Sequence, residues 1–406
     1  MTKLKRSVNW KMFSLYGLGN ILGAGIYVLV GEVASVAGDG LLWSFLIAGV
    51  VATFTAITYS AFATKYPVSA GAAVYTERAF NSKFFSTIIG LSLAFTGVVS
   101  ASALLHGFDR YFQQLIEPTA LGGKAPSELV ILALIASLSL IALKGMKESA
   151  LFAVLLTVIE AIGLLLIIAF AGVNGDVATS FSRSIGSFNS VEPMAIFLGG
   201  FLAFYAFIGF EDMVNIAEEV KEPKKSLRKG MLVALIGATV LYVLTAIAAL
   251  SVLSSSELAA SKAPLASVFQ AASGSSLPII TVIGLFAVTN GVLAQIIMSS
   301  RVLYGLAREG WLPSPLARVS TKTHTPTLAT FVAVIAITIG ALALPLVVLA
   351  KITSFSLLLI FSIVQIAALK MISSEELSLS IYVPIIGLIT NLAIIIIQVF
   401  SWFGKL

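Results

Sequence analysis

The feature that constrains this chain most is a series of apolar stretches, each long enough to cross about 30 Å of hydrocarbon as a helix. They fall at about 12–36, 41–64, 84–112, 127–143, 149–172, 193–219, 230–253, 277–307, 327–344, 346–369 and 380–402. Hydrocarbon offers no hydrogen-bond partners, so runs of this kind predict helices, which satisfy their own backbone. Eleven spans follow, and the expected fold class is an all-α membrane protein. Composition agrees: 58% of the 406 residues are hydrophobic and only 11% charged, against about 25% charged in soluble domains. So little charge cannot cover a water-facing surface of this size.

The N-terminus imitates a secretory signal. Lys3, Lys5, Arg6 and Lys11 precede an apolar run, and Ala34-Ser35-Val36-Ala37 could pass for a cleavage site. The run is rich in glycine and heads a long series of spans, so it is expected to be kept as the first helix. With the N-terminus cytoplasmic, the loops on that side hold every one of the 25 Lys and Arg residues except Arg110, Lys124, Arg183, Lys262, Lys351 and Lys405. That asymmetry follows the positive-inside rule and accounts for the net charge of +6 without nucleic acid or an acidic partner. A multi-pass protein of the plasma membrane is expected, with its C-terminus external. Four stretches read as non-helical: 66–83, 173–192, 254–276 and 308–326.

Several chemistries are unsupported. There is no cysteine, and His106 and His324 stand far apart with no ligand spacing. Neither a nucleotide-binding loop nor a metal motif is present, so no cofactor, no metal site and no enzymatic activity are expected.

Two spans carry an unusual pattern. The first reads Gly17-Leu18-Gly19-Asn20-Ile21-Leu22-Gly23-Ala24-Gly25-Ile26-Tyr27, and each glycine weakens a helix by roughly 1 kcal/mol relative to alanine. The sixth has Gly199-Gly200 and Gly209 near its centre, followed by Glu211 and Asp212. Small residues also serve close helix packing, so either span alone is ambiguous. Their relation matters more. Spans one and six open successive blocks of five, and an odd-numbered block reverses direction when repeated. Paired interrupted helices in matching halves point to a transporter's midplane site. A break frees N–H groups that attract a carboxylate and carbonyls that attract an ammonium group or cation. A zwitterionic amino acid presents both charges on one carbon.

Over almost its whole length the sequence resembles the amino acid–polyamine–organocation superfamily. The segments that carry the resemblance are Gly17–Tyr27, Phe204–Glu211 with Ala217-Glu218-Glu219-Val220-Lys221-Glu222-Pro223, and Arg301–Gly310. The loops Pro67-Val68-Ser69-Ala70-Gly71 and Thr323-His324-Thr325-Pro326 are also similar. The resemblance implies the leucine-transporter-type fold: two inverted five-helix repeats, 1–172 and 193–370, plus an eleventh helix at 380–402. It places the substrate carboxylate on the Gly23–Ile26 turn, at the N–H groups of Ala24, Gly25 and Ile26. The α-amino group then meets carbonyls of Ile21, Tyr205, Ala206 and Ile208. Tyr205 falls where the family has an aromatic gate, and Glu211 where occupancy is linked to gating. The chain departs from the family at Gly71-Ala72, where Gly-Gly is common, and at Ser226, often proline. It also lacks the twelfth helix that supports assumed dimer contacts, so its oligomeric state is unknown.

Ionisable groups within spans are costly and mark function by default. Glu160 lies mid-span in Leu155–Gly163, where related members carry a lysine, and Lys147-Glu148-Ser149-Ala150 upstream resembles cationic amino acid transporters. Two roles are open for Glu160: carrying a coupled proton, or holding a cation such as sodium with Ser299 and Ser300. Asp212 is expected to cap the second half of the sixth helix, and Glu218 and Glu219 to pair with basic residues. The expected activity is secondary active transport of an amino acid by alternating access, with proton coupling. The alternatives are exchange without ion coupling, sodium symport and a transporter-like sensor. Membrane lipid and the amino acid are the expected partners.

Overall fold

The computed structural model describes residues 6–69, 71–116, 125–261, 263–275 and 278–402. Lys3, Lys5, Ala70, Lys124, Lys262 and Lys405, named above, lie outside them. The described residues are helical, joined by turns and one isolated parallel bridge between Val8 and Val220. The first half contains α1 (Trp10–Ala37), α2 (Leu41–Lys65), α3 (Gly71–Phe80), α4 (Lys83–Ile116), α5 (Ser127–Lys144) and α6 (Met146–Asn174). Then follow α7 (Val177–Ser190), α8 (Pro193–Tyr205), the single turn α9 (Asp212–Asn215) and α10 (Pro223–Val252). The remainder comprises α11 (Ser255–Ala260), α12 (Pro264–Ser273), α13 (Ile279–Arg308), α14 (Thr327–Ala343), α15 (Leu346–Ser373) and α16 (Tyr382–Trp402).

Among the described residues, eight helices are long and apolar enough to cross a membrane, or nine if the bent pair α7–α8 forms one span. Each apolar stretch in the sequence falls on a helix. The sixth is the exception in part, being regular only as far as Tyr205.

Three stretches expected to be non-helical hold helices instead: α3 in 66–83, α7 in 173–192, and α11 and α12 in 254–276. The Ser-rich α7 shows why. Its serines Ser180, Ser184 and Ser187 are buried at helical spacing, while Phe181, Ile185 and Phe188 face outward. The helix meets α8 at 117°, an orientation suited to lying along a membrane interface. Serine content suggested a loop, whereas period 3.6 placed the serines on one packed face.

Contacts sort the helix ends into two groups. At one end Ser7 and Val8 donate backbone hydrogen bonds to the Glu219 carbonyl, Arg308 pairs with Glu218, and Lys65 pairs with Glu376. The Thr325 hydroxyl joins the carbonyl of Leu143 there. The opposite end gathers Asp39 with Arg183, Trp43 with Ser184, and His106 with the Leu344 carbonyl. The first group contains the basic-rich termini of α1, α2, α5, α10 and α13, and is called the basic end below.

Candidate functional site

The glycine-rich pattern of α1 produces a real interruption. Gly23 takes φ 20 and ψ −149, outside the helical region, in an otherwise continuous helix. A side chain there would be strained, which glycine avoids. The sixth span opens after Tyr205 into a run of turns through Glu211, with Gly209 at φ 127.

The two interruptions abut. A Cβ added to Gly25 would lie 2.5 Å from the Cα of Ala206, and one added to Gly209 would lie 2.5 Å from the Asn20 carbonyl oxygen. Backbone meets backbone at both points, so only glycine permits the approach. The third wall is α13, whose Gly291 Cα is 3.9 Å from a Cβ built on Gly23.

Between these segments lies a cavity of ≈ 20 Å³, room for about one water molecule. Ile21, Gly23, Gly25, Tyr205 and Ile208, five of the residues named as substrate-binding by the resemblance, line it together with Asn20, Ser100, Leu104, Gly291 and Gln295. Ala206 packs on Gly25 and Ile26 is fully buried. Tyr205 is half-buried, and its hydroxyl is 3.5 Å from that of Ser100 on α4. The amide of Asn20 is buried without a hydrogen-bond partner.

One residue absent from the sequence reading ties the breaks together. The hydroxyl of Tyr242 on α10 lies against the carbonyl oxygens of Ile21 and, at 2.7 Å, Ala206. These are two of the carbonyls expected to receive an ammonium group. A hydroxyl has one hydrogen to donate, so it satisfies one of the two carbonyls at a time.

Glu160 is fully buried on α6. Its Oε1 accepts from the Asn290 side chain at 2.9 Å, and the same amide is 3.3 Å from the Thr157 hydroxyl. The Tyr27 hydroxyl, one turn beyond the break in α1, donates to the Glu160 backbone carbonyl at 2.8 Å. Glu160 therefore stands against the broken helix, although it does not line the cavity. Ser299 and Ser300 are not brought to it. They follow Asn290 by nine and ten residues on continuous α13, about 14 Å along the axis. Ser300 bonds Thr330 at 2.7 Å, and Ser299 faces the Ala94 carbonyl of α4.

Glu211 folds back on the break, its carboxylate accepting from the Gly209 N–H at 2.9 Å. Asp212 does not cap the short helix that follows; Glu211 occupies the N-cap position without a side-chain cap bond. The Asp212 carboxylate instead accepts from Gln295 at 2.6 Å, because the amide of α13 reaches it directly. Through Gln295 the cavity lining connects to this acidic pair. Glu219 and Arg301 form an ion pair at 3.1 Å, each 1% exposed, and Glu218 pairs with Arg308, as expected.

Tyr242, Asn290, Gln295, Asn20 and Ser100 carry neither a charge nor a glycine's backbone freedom, so the pattern of charges and glycines in the sequence does not mark them. The available signal was an amide in an otherwise apolar span: Asn290 and Gln295 are such residues, and hydrocarbon penalises an unpaired amide.

Fold and site together define a polytopic helical membrane protein with a small pocket where two helices lose their regularity. A sequence model of the family described as "Amino acid permease" matches residues 9–405. The chain belongs to that family, within the amino acid–polyamine–organocation superfamily. It is 29% identical to the branched-chain amino acid permease BcaP of Bacillus subtilis, over 97% of this chain and 86% of that protein. Similarity extends to the methylthioribose transporter of Bacillus subtilis, at 26% identity over 95% of this chain and 86% of the relative. Cationic amino acid transporter 1 of Arabidopsis thaliana is 27% identical over 90% of this chain and 63% of its own length.

Proposed function

We propose that this protein is a secondary active transporter of neutral amino acids, working by alternating access and coupled to protons through Glu160. The observation that carries the reading is the abutment of the two helix breaks, Gly25 on Ala206 and Gly209 on Asn20, around one cavity. Free N–H groups after Gly23 suit the substrate carboxylate, and the carbonyls of Ile21 and Ala206 suit its ammonium group. The lining residues include Leu104 and Ile208 and no charged side chain, which favours an uncharged substrate side chain. The relative named as a branched-chain amino acid permease agrees with that class. The cavity is smaller than an amino acid, so entry requires Tyr205 and its neighbours to part.

The arrangement proposed is eleven helices in two inverted repeats, 1–172 and 193–370, with 380–402 as an added helix. The basic end faces the cytoplasm by the positive-inside rule. Glu160 is the coupling group because it is buried against the broken helix with Oε2 unpartnered. Ser299 and Ser300 of α13, bonded to α4 and α14, take a packing role in this scheme, and Glu211 links the break to gating through Gly209.

Proteoliposomes test the proposal. An imposed pH gradient, with no internal substrate, is expected to drive accumulation of a neutral amino acid. Uptake that occurs only against internal substrate would instead establish obligatory exchange, and uptake driven by sodium alone would remove the proton role of Glu160.

A further inference from the structure

A second cavity, of ≈ 170 Å³, lies at the basic end, where the α5–α6 turn meets the loop between α13 and α14. Lys144, Lys147, Lys322 and His324 line it, with Glu148 and Glu219 as its acidic members. The charge balance is clear. Glu219 is neutralised by Arg301, leaving three ammonium groups against the single carboxylate of Glu148. Among the described residues none of the three lysines forms an ion pair.

Two further groups border the cavity. The 29-residue helix α6 begins at this cavity with Gly145 as its N-cap and no side-chain cap bond, and Glu148 in its first turn is the one carboxylate beside its first N–H groups. The Nδ1 atom of His324 is buried with no hydrogen-bond partner, and the residue is held at φ 55. The walls are held in place. The Thr325 hydroxyl reaches the Leu143 carbonyl, and a Cβ on Gly145 would lie 2.7 Å from the Glu148 carboxylate and 3.3 Å from the Thr323 carbonyl. A turn packed this closely against the neighbouring loop fixes the backbone from which the lysines extend.

The surroundings identify the source of the anion. Leu140 precedes Lys144 by one turn on α5, while Leu151 and Leu155 follow Lys147 by one and two turns on α6. These leucines are 65%, 53% and 57% exposed. Residues four apart share a helix face, so Lys144 and Lys147 each crown an apolar stripe open to acyl chains. Basic pockets between transmembrane helices at the cytoplasmic face suit anionic headgroups.

We infer that this cavity binds a phosphate group, and that its natural source is the headgroup of an anionic phospholipid whose chains lie along Leu140, Leu151 and Leu155. The site is separate from the central cavity. It adjoins the contact that pins the N-terminal segment, because Ser7 and Glu219 both line it and the Glu219 carbonyl holds Ser7 and Val8.

The test uses the purified full chain in detergent, measuring thermal stabilisation by phosphatidylglycerol, phosphatidylcholine or inorganic phosphate. Phosphatidylglycerol is expected to stabilise the protein and phosphatidylcholine not. The K144Q/K147Q/K322Q variant should weaken the apparent affinity on the order of a hundredfold, at about fivefold per lysine. The exposed control K221Q/K224Q/K225Q at the same end should leave it unchanged, and K144R/K147R/K322R should restore it. A lysine-dependent response to inorganic phosphate alone would confirm the site and assign it to a soluble phosphate. Equal stabilisation of both glutamine variants, or none of the wild type by either anion, would overturn the inference.

Discussion

The side-chain amide of Asn290 on α13 donates to the buried carboxylate of Glu160 on α6 at 2.9 Å. The pair stands beside Gly19 of α1, where an added Cβ would lie 1.9 Å from the Thr157 hydroxyl and 2.5 Å from the Asn290 amide. The carboxylate is thus held by α13, while α1 touches its backbone carbonyl through Tyr27 and its neighbours Thr157 and Asn290 through Gly19. This geometry suits a group whose protonation changes with the position of α1.

The first prediction concerns coupling. Glu160→Gln keeps an acceptor for Asn290 but cannot carry a proton. Uptake driven by a pH gradient should disappear, while exchange of labelled for unlabelled substrate continues. If accumulation survives in proteoliposomes at the wild-type level, Glu160 is not the coupling group. Glu160→Leu should in addition cost about 1–3 kcal/mol of stability, because it leaves the Asn290 amide with only its 3.3 Å bond to Thr157.

Gly25→Ala tests the abutment of the two breaks. Its methyl would sit 2.5 Å from the Ala206 backbone, and forced overpacking costs about 1–3 kcal/mol. Thermal stability and substrate-induced stabilisation should both fall. Gly186→Ala in α7, with nothing within 4 Å of the new methyl, should do neither.

Tyr242→Phe removes the hydroxyl lying against Ile21 and Ala206 without changing the ring's packing on Phe45 and Phe207. A buried carbonyl left unsatisfied costs about 1–3 kcal/mol. Lower thermal stability is expected, together with a changed substrate affinity in a binding titration. An unchanged affinity would separate Tyr242 from the substrate site.

At the basic end, Arg301→Met should destabilise by about 3–5 kcal/mol, since it leaves Glu219 buried and unpaired. The double variant E219L/R301M should recover much of that loss, because two apolar side chains leave no charge behind. Thermal unfolding of the two variants makes the comparison.

The helical class, the placement of the apolar helices and the two interruptions were legible before any coordinates. Length and hydropathy determine the first two, and glycine's backbone freedom the third. That Glu218 and Glu219 pair with basic residues was also expected, from the need to neutralise acidic groups near a basic helix end, whereas the partners, Arg308 and Arg301, are set by packing. Less legible were α3, α7, α11 and α12, where small polar residues read as loop but pack one helical face. Asp212 read as a cap from its neighbour in sequence, yet its partner is Gln295, 83 residues away.

The sequence alone determined that this chain is a membrane-embedded helical bundle weakened within Gly17–Gly25 and among the glycines of its sixth span, because hydrocarbon dictates helices and glycine marks where they can fail. Only the tertiary structure decided what stands across from each break. It placed Tyr242 against the freed carbonyls, Asn290 against Glu160, and Ser299 and Ser300 away from that carboxylate. The physical reason is that hydrogen bonds between helices depend on helix rotation and register, which packing sets and local periodicity does not record.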